Sequence, residues 1–222
     1  MLEVSLYPEP FMVFGINVGL SVFMGWCVLG VLITALVFIN LLVVRRMKPV
    51  PTGAQNLVEM IVEGAHKWCE GKIGKAAEMI TPVVLTLMTY VFCTTIVELF
   101  GLPAATEDVN CTFALGLCTF TAVNVAGLKY NGGLKGRVKG LCSPAPIVLP
   151  IRVLTDCIAP CSIAIRLFAN VMVAGIVMQL IYAVVPIILP AVVASYFNIF
   201  DAGIQTFVIG LLTIVYTSEA VE

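Results

Sequence analysis

The sequence predicts an all-α polytopic membrane protein of about five transmembrane helices, with two long tilted helices at its C-terminal end and one amphipathic helix at the membrane interface. Three observations predict it. Hydrophobic residues make up 60% of the 222-residue chain and charged residues only 11%, where a soluble domain carries roughly a quarter. Several uncharged runs reach the ~20 residues that cross a bilayer. Lys and Arg gather in alternate loops, the asymmetry that orients a membrane protein. With 12 Lys and Arg against 13 Asp and Glu the net charge is −1, so no basic excess points to nucleic acid. Lipid and other membrane subunits are the partners to expect.

The first ten residues carry Glu3 and Glu9 but no Lys or Arg. They lack the positive region of a cleavable signal peptide, so the first apolar run is expected to remain. That run, 11–44, holds no charge and is long enough for a tilted first span. Leu57, Ile61 and Trp68 then fall near one helical face, with Glu59, Glu63, His66, Lys67 and Glu70 on the others; this pattern predicts an amphipathic helix along the interface, with His66 a solvated surface residue. Spans over 79–100 and 109–128 follow as a hairpin, because uncharged stretches flank the short acidic link from Glu98 to Asp108. Pro144, Pro146 and Pro150 break the helix before the fourth span, and Pro186 and Pro190 divide the remaining apolar stretch into helices over 150–185 and 188–218. Without an internal repeat or a low-complexity linker, one domain over 1–222 is the simplest organisation. Arg45, Arg46 and Lys48 after the first span and Lys129, Lys135, Arg137 and Lys139 after the third place those loops in the cytoplasm. The N-terminus is then outside, the C-terminus inside, and the chain a multi-pass protein of the cell membrane.

Eight cysteines and one histidine, with no Cys-x-x-Cys pair, predict neither a metal site nor a disulfide framework. No cofactor motif is present. The chemistry points instead to Arg166, in the fourth span, with no other charge from 157 to 200. An Arg at the bilayer centre costs about 2.5–3.5 kcal/mol on insertion scales, so something must compensate for it. Ser162, Arg166 and Asn170 recur every four residues on one face of their span, and Asn198, Asp201 and Gln205 recur at three and four on the last. Counted from a turn near 186–188, Arg166 and Gln205 are at nearly the same depth, so two polar stripes converge on a buried cation. Asp201, about one turn further out, either relays an ion or neutralises Arg166.

The run Pro160-Cys-Ser-Ile-Ala-Ile-Arg166-Leu-Phe-Ala-Asn170, followed by Ala174-Gly175, resembles the signature of the subunit a family of rotary F-type ATP synthases, of the bacterial type. Gly203-Ile-Gln205-Thr-Phe-Val and Leu212-Thr-Ile-Val-Tyr216 resemble that family's last helix, Pro51-Thr-Gly-Ala-Gln55-Asn56-Leu-Val-Glu59 its first cytoplasmic loop, and Asp108-Val-Asn110-Cys-Thr112 its outer link. The resemblance implies an ion-conducting stator subunit with no ATP-hydrolysing site of its own. It would work with a ring of c subunits, the b-subunit peripheral stalk and, indirectly, the soluble catalytic head. Arg166 would be the essential arginine facing the ring, with Asn170 and Gln205 beside it, separating two offset half-channels through which protons or sodium ions drive rotation.

The sequence departs from the family at the outer half-channel. One residue is inserted before Ala174-Gly175, Ile176 stands where an acidic residue or His is frequent, and Asn198 where His or Glu is frequent. Asp201 is then the substitute carboxylate, with Glu98 at the outer mouth. Thr155 and Asp156 line the inner half-channel, or Asp156 pairs with Arg152 at the interface. A membrane-embedded enzyme would need a nucleophile, paired carboxylates or a metal motif that the sequence lacks; the alternative is a secondary transporter, which would usually show matching repeats with broken helices, or an ion channel of an unrelated family.

Overall fold

The computed structural model describes residues 11–13, 16–42, 44–47, 53–98, 105–130, 133, 149–184 and 189–221. The chain is helical apart from one small antiparallel pair, β1 (Phe11–Val13) and β2 (Ile16–Val18), with Phe11 opposite Val18. Five helices are long and apolar enough to cross a membrane.

The first span begins later than the uncharged run suggests. Helix α1 covers Leu20–Leu42, because Gly15, Asn17 and Gly19 disfavour helix in the run before it. The Gly19 carbonyl accepts from the amides of Val22 and Phe23, opening the first turn. At 23 residues α1 is about 34 Å long, enough for the ~30 Å hydrocarbon core. It touches the bundle near its start, where a methyl added to Gly25 would lie 2.9 Å from Ala105 Cβ and 3.1 Å from the Tyr90 hydroxyl. The rest of α1 presents Trp26, Leu29, Ile33, Leu36 and Phe38 outward, a surface suited only to lipid or to another apolar helix.

Helix α2 (Ala54–Ile73) carries Glu59, Glu63, Lys67, Glu70 and Lys72 within 20 residues, too many charges for a span. It is amphipathic, as expected, but it is docked rather than freely lying. Gly74, at φ 54°, and a 3-10 turn over Gly74–Ala76 fold it back on α3 (Ala77–Glu98). Cys69 and Ile73 enter a core with Ala77, Ile80, Val84 and Ile214, and the Trp68 ring stacks on Phe207 at 5.6 Å. His66 is not a solvated surface residue. It is half-buried, and its Nδ1 lies 3.2 Å from Thr81 Oγ1. That hydroxyl already donates its proton to the Ala77 carbonyl at 2.7 Å, so Nδ1 is the donor of the pair.

A 3-10 turn over Ala105–Glu107 leads to α4 (Val109–Tyr130), whose first turn is capped by Asp108: its carboxylate Oδ1 accepts from the Asn110 amide at 2.8 Å. Helices α5 (Leu149–Val184) and α6 (Leu189–Val221) complete the chain. At 36 and 33 residues they measure about 54 and 50 Å, so they cross a ~30 Å core only with a steep tilt or with their ends outside it. The proline segment 143–148 and the turn at 185–188 lie outside the described residues.

The core is built from α3, α4, α5 and α6. The most extensive contacts are α4 on α5 and α3 on α6. Its buried polar residues are largely threonines, including Thr81, Thr95, Thr119, Thr213 and Thr217, each returning its hydroxyl to the carbonyl four residues back; in lipid no water is available for the purpose. The start of α1 meets the 105–107 turn, whereas Ser218, at the end of α6, donates to the Lys72 carbonyl at the α2–α3 elbow. The start of the first span and the end of the last are therefore at opposite ends of the bundle. Lys72 and Lys75 of the elbow and Lys129 at the end of α4 gather at one end. It is the basic end in the sense of its lysines, although Glu70, Glu78 and Glu219 are exposed beside them, and Glu107 and Asp108 stand at the other, the acidic end.

Candidate functional site

Helix α5 has two faces. Pro160, Ile163, Ala164, Leu167 and Val171 are buried, at the three- and four-residue spacing of one helical side. Ile163 and Leu167 share a core with Val91 of α3 and Ile209 of α6, with Leu115 of α4 against it. On the other side Ile158, Ile165, Val173 and Ile176 are all more than half exposed. Arg166 is exposed among them. The sequence suggests a buried cation, but the structure puts the guanidinium on the outer surface of this chain, at the edge of a hydrocarbon-like face. Among the described residues the one ion pair is Lys67–Glu63, on α2 at 2.8 Å, and Arg166 has no carboxylate partner.

The neighbouring surface of α6 is equally apolar. Tyr196, Ile199, Phe200, Ile204 and Phe207 are exposed, with Tyr196 and Phe200 stacked at 6.0 Å. Behind them the polar residues turn inward. Asn198 and Gln205 are buried, at 8% and 3% exposure, and Asp201 is half-buried. Asn170 Nδ2 donates to Gln205 Oε1 at 2.6 Å, and this bond sets the register of the α5–α6 pair. With 170 opposite 205 in an antiparallel pair, Arg166 stands opposite 209, a full turn nearer the basic end than Gln205. The two are not at the same level. Asp201 lies opposite 174, eight residues from Arg166 along α5, an axial offset of about 12 Å. The expected offset of one turn is therefore two, which separates this carboxylate from the arginine.

Of the other site residues, Ser162 is half-exposed one turn below Arg166 on the same side. Glu98 and Asp156 are within α3 and α5, and their side chains, like that of Thr155, fall outside the described residues. Ile176 is exposed on the apolar face. Sequence reasoning missed a small cavity of about 10 Å³ bounded by Thr119 and Asn124 of α4, Pro160 and Ile163 of α5 and Tyr216 of α6, about one water in size. Its polar residues come from two helices and are unremarkable singly. It also missed Thr206, next to Gln205, whose hydroxyl oxygen is buried without a partner.

A five-span helical protein whose C-terminal helices hold an apolar surface around a single arginine has the form of an ion-translocating membrane protein, because ionisable residues within transmembrane helices are rare and mark ion or substrate pathways. The family model of the ATP synthase A chain matches residues 22–218. The chain belongs to that family: it is a subunit a of the membrane sector of an ATP synthase, taking part in proton translocation and associating with other subunits of that sector.

Proposed function

We propose that Arg166 faces the rotating c-ring and separates two half-channels, one reaching it from each side of the membrane. The observation that carries this reading is the exposed guanidinium on an apolar face with no carboxylate partner among the described residues. A cation so placed is stabilised when a carboxylate arrives from a partner helix. A guanidinium stays protonated under essentially all conditions, so it holds the ring carboxylate ionised as it passes and relays no proton itself. Each proton that crosses releases about 2.3 kcal/mol per 100 mV, which turns the ring and drives synthesis in the soluble head.

Asn170 and Gln205, bonded to each other, hold α5 and α6 in register one turn from the arginine on the side of the acidic end. On this reading Asp201, with Asn198 beside it and Glu98 at the mouth, carries protons in from that end, and Ser162 with Asp156 carries them out at the other. The basic end is cytoplasmic, the N-terminus outside, and the b-subunit stalk and head complete the stator on the inner side. The chain acts as a single membrane domain in the cell membrane.

Substitution tests the central role. Arg166→Ala should abolish proton-driven ATP synthesis in reconstituted complexes while the amount of assembled complex stays at the wild-type level. Arg166→Lys should lower the rate by about tenfold or more, because lysine lacks the planar fork and loses its proton readily when desolvated. Near-normal synthesis in the lysine variant would remove the assignment.

A further inference from the structure

Gly116 lies on the buried side of α4, directly against α5. A methyl carbon added there would stand 2.5 Å from the Pro160 carbonyl oxygen, 3.2 Å from its carbonyl carbon and 3.4 Å from its Cα. All three atoms are backbone, so no side chain can rotate away. Pro160 is buried, and as a proline inside a helix it offers no amide to the carbonyl of residue 156, which loosens the turn at this point. Six residues on, across the helix from the buried face, is Arg166. The same face continues through Ile163 and Leu167, packed on α3 and α6, so α5 is seated from behind at two levels and presents Arg166 in front.

We propose that Gly116 is a positioning residue for proton translocation: its missing side chain lets α5 sit close against α4 and so fixes how far Arg166 projects towards the partner carboxylate. This rests on the reading of Arg166 given above. With alanine at 116 the backbones must part until the new methyl reaches ordinary contact, 3.4 Å or more. Shared between the two helices, the parting from 2.5 to 3.4 Å pushes α5 and its arginine outward by roughly half an ångström. At a guanidinium–carboxylate separation near ~4 Å and an effective dielectric constant of about 20, an approach of about half an ångström lowers the proton affinity of the carboxylate about threefold. The charged residues on the elements packed against α5 are Glu78 and Glu98 of α3, Asp201 and Glu219 of α6, Lys129 of α4 and Glu107 of the turn, and the substitution alters none of them.

The test is ATP synthesis by whole complexes in proteoliposomes, with the proton concentration on the entry side varied at fixed membrane potential. Gly116→Ala should raise the proton concentration at half-maximal rate about threefold. Gly210→Ala is the comparison, since there the new methyl meets the flexible Met88 side chain at 2.7 Å and the Trp68 ring at 3.3 Å, with no backbone of α5 among its three nearest atoms; it should leave the half-saturation point where it was. A Gly116→Ala complex that assembles and loses only its maximal rate, or changes nothing, overturns the proposal. If that variant fails to assemble, Ile163→Val decides: it removes one methyl from the same buried face of α5 and lets the helix settle inward, so a half-saturation point that does not fall overturns the proposal as well. The Arg166 variants run alongside keep the two readings separate, because synthesis surviving without Arg166 would remove the role of the arginine, whereas dead Arg166 variants beside an unshifted Gly116→Ala would remove only the positioning role.

Discussion

A guanidinium facing hydrocarbon is costly on its own, and the cost falls when its partner is supplied by another chain. This separates the two roles open to Asp201. The Asn170–Gln205 bond places Asp201 about two helical turns from the level of Arg166, too far for a permanent pair, and its half-buried position on α6 suits a group reached by water. Asp201→Asn should therefore leave assembly and passive leak at wild-type levels and slow proton flux by about a hundredfold, the low end of what a positioned proton carrier contributes, with Asp201→Glu recovering part of the rate. Reduced assembly in Asp201→Asn would favour the pairing role, and wild-type flux would move the outer path to Glu98. The sequence made the identity of these residues legible but not their levels. Counting from a presumed turn puts Arg166 and Gln205 together, and only a side-chain contact between the helices fixes the register to within a turn. Whether an arginine faces its own bundle or looks outward is likewise invisible in a linear apolar run, because both placements need the same flanking residues. His66 reads as fully solvated in the sequence for a similar reason, since its partner Thr81 sits 15 residues on, beyond a fold-back that the glycine at 74 alone does not announce.

At the level of elements, the spans were readable because lipid imposes a length and a composition on each helix, and α3 to α6 lie close to the apolar runs. The exceptions are physical. The uncharged stretch before α1 is apolar enough to be in a membrane but too rich in glycine to be helical, so it pairs as β1 and β2. The amphipathic α2 was recognisable, whereas its docking through Trp68 and Cys69 depends on surfaces that α3 and α6 create only when packed. The seam between α5 and α6 is the element-level feature on which the site depends, and its hydrogen bond has a measurable worth. Gln205 is 3% exposed, so Asn170→Leu leaves a buried amide oxygen without its donor, which costs about 1–3 kcal/mol. Replacing both residues with leucine removes the unsatisfied group along with its partner. In a double-mutant cycle on the thermal stability of the detergent-solubilised complex, Asn170→Leu and Gln205→Leu should each be destabilising, and the double variant less so than their sum. Strict additivity would show that the two amides do not depend on each other.

Taken as a whole, the molecule has a charge asymmetry that the fold converts into an orientation. The elbow residues Lys72 and Lys75 are at the end of the bundle where α6 finishes, and the cap residue Asp108 is at the end where α1 begins. Five spans put these ends on opposite sides of the membrane, and on the positive-inside rule the orientation proposed above has the lysine-bearing end in the cytoplasm. The structure also decides where the assignment can be probed. Ala105, in the middle of the acidic link, is 2% exposed and would report burial instead of sidedness. Asn110 and Lys75 are both exposed and stand at opposite ends. In a cysteine-free background, Asn110→Cys should react with a membrane-impermeant maleimide added to intact cells, and Lys75→Cys should react only after the cells are opened. Neither change touches a buried contact, so the assembled complex should keep its ATP synthesis and the labelling will describe the working protein. Should Lys75→Cys label in intact cells while Asn110→Cys stays silent, the orientation is reversed, and the proton entry path assigned to Asp201 becomes the exit. Should both label, the chain does not cross between them, and α3 cannot be the second span.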